Sequence, residues 1–255
     1  MSDTGGTGNA SYGTAFDTVQ AAAEAGVPLK LIGGQAIRYL TPDYPPRTRN
    51  DQDMDFASVS TAKNDVIGFL DDRGFLGDRR FNVMHGSRQM YFTTPDGLTS
   101  VDVIVDRLFM CHELVFKERI TRMPYTIDVT DLLLTKLQVV EQNEKDVQDI
   151  VYLLCAFDVR DGDEPGAIGL TRFGDVVRDD WGWWRTVTGN LDRVVELVRG
   201  DLARLVPAGA AHDPAEQATT LRTFADTVSK TLRWKVRSKV GERVQWYELP
   251  EEVGH

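Results

Sequence analysis

The sequence predicts an α/β (α+β) fold, with a core over residues 13–127 and a mainly helical region over residues 128–255. Three observations carry that prediction. Up to residue 106, short β-rich runs alternate with helical periodicities. A Pro-Asp-Gly turn at residues 95–97 joins two of those runs, 89–93 and 98–106, into a hairpin. Past residue 128, amphipathic helical stripes take over.

Composition narrows the class. At 255 residues, 42% hydrophobic and 27% charged, the chain suits one large or two small globular domains. No apolar run approaches a membrane span and no apolar signal core opens the chain, so a cytoplasmic protein with no membrane partner is expected. Cys111 and Cys155 lie in apolar surroundings without disulfide or metal-knuckle spacing, and read as small buried hydrophobes. A net charge of −10 excludes wholesale coating of nucleic acid, although a local basic patch remains compatible with it. No internal repeat is present.

The elements follow in order. Residues 1–12 are rich in Gly, Ser and Thr and are expected to be disordered. A helix over 14–25, with Phe16, Val19, Ala22 and Ala23 on one stripe, should stop at Gly26. A strand over 27–32 leads to the Gly33-Gly34 turn and a helix opening at Gln35. Pro42, Pro45 and Pro46 force an extended loop into a second strand, residues 51–56. A helix over 60–72 buries Val66, Ile67, Phe69 and Leu70 and ends before Gly74, ahead of the hairpin. Asp128 or Thr130 suits the N-cap of a helix through Leu137, and Asn143 with Asp146 looks like the cap of another over 144–157. Residues 158–169 read as a polar linker, which has three aspartates but lacks the continuation of an EF-hand. Helices are expected near 182–190, 191–205 and 214–230.

The second strand carries the chemistry. Side chains alternate along a strand, so Asp51, Asp53 and Asp55 share one face while Met54 and Phe56 take the other. Three carboxylates on one face repel each other and call for a cation. Upstream, the Gly-Gly turn allows close approach of backbone to a ligand, and the following helix offers N–H groups to an anion. Glycines for phosphate beside carboxylates for metal make a workable nucleoside-triphosphate site. On the hairpin's second arm, Val101, Val103 and Val105 face one way and Asp102 and Asp106 the other. The run Cys111-His112-Glu113 cannot place all three side chains on one face, so it is not a metal site, and His85, His212 and His255 are scattered.

Gly33-Gly34 followed by Arg49-Asn50-Asp51-Gln52-Asp53-Met54-Asp55 resembles the signature of the polymerase-beta-like nucleotidyltransferase superfamily. The blocks at 128–137 and 143–150, containing Lys136, Asp146 and Asp149, are similar to those of the abortive-infection (AbiEii-like) toxin nucleotidyltransferases, including the MenT toxins. The resemblance covers residues 31 to about 157. It implies a mixed sheet flanked by helices, with the block around Lys136 packing onto the active site. It also implies two Mg²⁺ ions held by Asp53, Asp55 and Asp102, with Asp106 the second choice for the last position. Gly33 and Gly34 would cradle the triphosphate of an NTP, Arg49 and Lys136 would neutralise its charge, and Asp149 or Asp146 would hold Lys136 or complete the catalytic group. The implied reaction moves an NMP to an acceptor hydroxyl, in the toxin case a tRNA 3′ end, and a cognate antitoxin would be a partner. A small-molecule (antibiotic-type) or protein acceptor is the enzymatic alternative, and an inactive homologue acting as a binding module is the non-enzymatic one. Two positions depart from the family pattern: Asn143 stands where Arg is frequent, and Asp51 where Thr or Ser is common.

The last third adds one charged feature. Between residues 221 and 243, Arg222, Lys230, Arg233, Lys235, Arg237, Lys239 and Arg243 face only Asp226 and Glu242. Arg233, Lys235, Arg237 and Lys239 alternate in strand fashion with apolar residues, a candidate hold on a phosphate backbone. Trp181, Trp183, Trp184, Trp234 and Trp246 are expected to be packing anchors more than a base-stacking platform.

Overall fold

A five-stranded mixed sheet carries the first half of the chain and helices carry the second. The computed structural model describes residues 6–47 and 53–249. Two units divide the chain: 1–42, 46–108 and 115–128 form the first, and 43–45, 109–114 and 129–255 the second.

The first unit begins with α1, Gly6–Glu24. Residues 6–12 are therefore helical where disorder was expected, since extending an existing helix adds a hydrogen bond for each residue fixed. Its buried stripe is Ala15, Thr18, Val19 and Ala22, the i, i+3, i+4, i+7 set, which leaves Ala23 exposed and Phe16 half-buried, contrary to the predicted stripe. Gly26 turns the chain at φ +72°. Then come β1 (Lys30–Leu31), α2 (Gly33–Leu40), β2 (Met54–Ser58), a 3₁₀ turn over Ser60–Ala62 and α3 (Lys63–Asp71). Next are β3 (Leu76–Gly77), α4 (Arg79–His85), β4 (Gln89–Thr93) and β5 (Ser100–Val105). Strand order is β1-β2-β5-β4-β3, with β2 and β5 parallel and the other pairs antiparallel.

Alternation on β5 is clean. Val101, Val103 and Val105 are fully buried beside Met54, Phe56, Met90 and Phe92, while Asp102 and Ile104 lie half-buried on the other face. The hairpin turn forms as predicted: the Asp96 carboxylate accepts from Thr94 Oγ1 at 2.6 Å and Leu98 N at 3.0 Å, and Gly97 sits at φ +70°. Two short strands, β6 (Arg107–Phe109) and β7 (Glu113–Val115), make a second small sheet.

The second unit is built on α5 (Val129–Leu137) and α6 (Glu144–Ala156), then β8 (Val159–Arg160), β9 (Ile168–Gly169), α7 (Leu170–Asp179), α8 (Trp181–Arg199), α9 (Pro214–Thr227) and α10 (Leu232–Ser238). Asn143 and Asp146 form a full capping box for α6. The stretch read as a polar linker instead contributes the parallel β8–β9 pair. The two helices expected over 182–205 are one: α8 runs through Asn190, whose amide donates to Leu137 O and Val139 O at 2.8 Å each and so has its hydrogen bonds without breaking the helix. The basic stretch, whose alternation leaves strand or helix open, is the helix α10, capped by Thr231. No helix among the described residues is long and apolar enough to cross a membrane.

Candidate active site

The site in the first unit grows from the β1–α2 junction. Ile32 N donates to Asp55 O at 3.0 Å, drawing Gly33 against β2. Gly33 has φ +70°, which strains any L side chain, and a Cβ there would stand 2.8 Å from Asp55 Oδ2, so that carboxylate would have to shift. A Cβ on Gly34 would overlap the guanidinium of Arg47, 2.6 Å from its Nη2. Gln35 Nε2 donates to Asp53 O at 3.0 Å and steadies the approach to β2.

Asp55 and Asp102 are register partners on the parallel pair β2–β5, so the two carboxylates stand side by side on one face. Asp102 Oδ1 accepts from Gln89 Nε2 at 2.6 Å. Asp53 is exposed, one residue before β2 begins. Asp106 lies past the end of β5 at φ +64°; its carboxylate accepts from Ser60 N at 2.9 Å and pairs with Lys117 at 3.4 Å. Burial pushes that carboxyl up, but hydrogen bonds from Ser60 and Lys117 outweigh it and hold its pKa below the usual value. Of the two candidates on the second arm, Asp102 is the one beside Asp55.

Arg49 and Asp51 lie outside the described residues. Among the described residues no three His, Cys, Asp or Glu side chains group as a metal site. The donor chemistry still fits a hard divalent cation: Asp55 and Asp102 offer only oxygens, and their adjacent charges are relieved by one.

The second unit holds the lysine constellation. Lys136 Nζ lies 2.8 Å from Asp149 Oδ2 and 3.3 Å from Asp146 Oδ1. Asp146 also serves the capping box, which removes the choice between a capping and a lysine-holding role: it does both. Assignment of Lys136 to a nucleotide's phosphates rests on the resemblance. Asp128, one of the two residues suited to cap α5, stands immediately before its first residue, Val129, and is buried between Arg119 and Arg122 at 3.1 Å each.

The basic stretch does not present its four cations together. At 100° per residue, Arg233 and Arg237 share one side of α10 while Lys235 and Lys239 share another. Arg233 pairs with Asp179 and Asp180, and Arg237 lies over the Trp181 ring and donates to Gly241 O and Val244 O. Lys235 and Lys239 are exposed. His112 Nε2 meets Thr186 Oγ1 at 2.8 Å, and burial lowers its pKa to about 4 against an opposing pull from Asp180. The tryptophans pack on one another, with Trp181 5.9 Å from Trp246 and Trp184 5.3 Å from Trp234 between ring centroids.

Arg47 is the residue the sequence reading missed. One arginine in a proline-rich loop has no periodicity to flag it, and its partner Gly34 is 13 positions earlier.

Fold and site together define a mixed-sheet α/β protein with a glycine turn set against paired carboxylates. No protein-family model matches the chain, and no curated protein matches it significantly. Two solved structures are similar in layout. JHP933 from Helicobacter pylori has TM-score 0.35 and 12% identity over 91% of this chain and 97% of that one. A candidate nucleotidyltransferase from H. pylori has TM-score 0.36 and 12% identity over 91% and 96%. Likeness of that size carries no functional argument.

Proposed function

We propose that the protein is a metal-dependent nucleotidyltransferase that moves an NMP from an NTP to an acceptor hydroxyl, the 3′ end of a tRNA. The observation that carries the reading is the side-by-side placement of Asp55 and Asp102 on parallel strands, with Gly33 tucked against Asp55. The polymerase-beta-like resemblance assigns the phosphate cradle to Gly33 and metal-holding carboxylates to Asp55 and Asp102, and the closeness of these residues supports that assignment. The tRNA acceptor is supported by the likeness of the 128–150 stretch to the AbiEii-like toxins.

Asp53, Asp55 and Asp102 would hold Mg²⁺, which when bound supplies positive charge for the phosphate oxygens and the departing pyrophosphate. The acceptor oxygen bonds to the α-phosphorus as the bond from that phosphorus to the pyrophosphate oxygen breaks. Asp102 takes the acceptor's proton, its carboxylate oriented by Gln89. Gly33 keeps side-chain bulk away from Asp55.

The test incubates the protein with Mg²⁺, each labelled NTP in turn and total tRNA. Label on tRNA from one NTP is the expected result. Label on protein alone, or none with NTP binding intact, would overturn the tRNA acceptor in favour of a protein or small-molecule one. Asp55→Asn should abolish transfer with the melting temperature nearly unchanged; full activity in that variant would sink the metal assignment.

A further inference from the structure

Gly33 and Gly34 are bare because other side chains already fill the space their own would need. Asp55 Oδ2 lies 2.8 Å from the position of a Cβ on Gly33. A Cβ on Gly34 would meet three atoms of the Arg47 guanidinium, with Nη2 at 2.6 Å. The Gly33-Gly34 backbone is thus bordered by a carboxylate at one residue and by a guanidinium at the next. The carboxylate, next to Asp102, suits a cation. A planar guanidinium suits phosphate oxygens, which it grips two at a time. A charged, hydrogen-bonding group of each sign therefore borders the same two residues. Pro45 and Pro46 lead directly into Arg47, and proline restricts both itself and the residue before it, so the chain delivers this arginine from a stiffened stretch.

We propose that Arg47 binds the phosphates of the nucleotide, and that Gly34 acts through it, as the seat that lets the guanidinium lie against the backbone. This rests on the nucleotidyl-transfer reading above. Gly34 is then a positioning residue whose contribution is lost whenever Arg47 is lost.

Equilibrium binding of each NTP with Mg²⁺ tests it in wild type, Arg47→Ala, Arg47→Lys, Gly34→Ala and the Gly34→Ala/Arg47→Ala double variant, with thermal melts confirming that each is folded. Arg47→Ala should weaken binding roughly 10- to 100-fold, the range for losing hydrogen bonds to a charged group. Arg47→Lys should restore only part of this, because an ammonium cannot fork. Gly34→Ala should approach the Arg47→Ala value, and the double variant should bind no more weakly than the weaker single one. Additive losses in the double would show that Gly34 meets the ligand on its own and would overturn the seat. Unchanged affinity in Arg47→Ala would overturn the role of Arg47 and leave nucleotidyl transfer standing. Absence of NTP binding by the wild type would sink both. If Gly34→Ala does not fold, the two Arg47 variants decide whether Arg47 binds phosphate.

Discussion

A lysine whose ammonium touches two carboxylates ties its own removal to theirs. Asp149 is only 1% exposed and lies 2.8 Å from Lys136 Nζ. Lys136→Ala should therefore lower unfolding free energy by about 3 kcal/mol, as expected when a buried pair loses one member. Asp146→Ala, which removes the longer contact and one arm of the capping box, should cost about 1 kcal/mol. Urea denaturation at neutral pH measures both. His112 gives a pH dependence of known sign. Its folded pKa of about 4 lies below the ordinary 6.5, so in that window the unfolded chain binds the extra proton. Its contribution is fully present above pH 6.5 and declines toward pH 4, by about 3 kcal/mol in all. Carboxylates titrate at the low end of the same window, so the check compares wild type with His112→Gln: the variant should have the shallower fall. Legibility at this scale followed local pattern. Alternation on a strand shows which face Asp55 and Asp102 each take, whereas their adjacency across β2 and β5 is what the resemblance implies and the register shows. Arg47 was not legible, because its significance is a contact with Gly34 that no local pattern encodes.

Elements are legible where local chemistry marks their ends. The hairpin and the capped helix α6 carry their own chemistry, a Pro-Asp-Gly turn and an Asn143–Asp146 box, and both form as read. Strands β3, β8 and β9 have two residues each, too few to display a period. Basic and apolar residues alternate along α10, a period of two that suits a strand, while the Thr231 cap starts a helix there. The sequence suggests two helices, near 182–190 and 191–205, where the structure has the single helix α8. Tertiary contacts favour the single helix, since the Asn190 amide bridges two carbonyls of the residues following α5 and at its end. Asn190→Ala should cost about 1–3 kcal/mol, the penalty for leaving buried polar groups without their partner, with α8 remaining helical. Denaturant titration gives the cost, and far-ultraviolet circular dichroism of the folded variant checks the helix. A large loss of helicity in the native state would mean the side chain, not the apolar stripe, sustains the helix.

At the scale of the molecule, the class was legible: an α/β first half and a helical second half follow from where strand-like runs stop. The acceptor is where charge matters. In a chain of net charge −10, Lys235 and Lys239 are exposed cations on one side of α10. If tRNA is held there, changing both to Ala should reduce the slope of log affinity against log salt by about two, one for each lysine. An unchanged slope would remove α10 from the RNA interface. The tryptophan cluster has a consequence of a different kind. All five indoles of the chain belong to the second unit, and the first has none. Intrinsic tryptophan emission is thus a spectroscopic label that nature placed on one half of the chain, while circular dichroism reports both. Recorded together through a denaturant titration, the two signals separate the unfolding of the helical half from that of the sheet bearing Asp55 and Asp102, without a single added fluorophore.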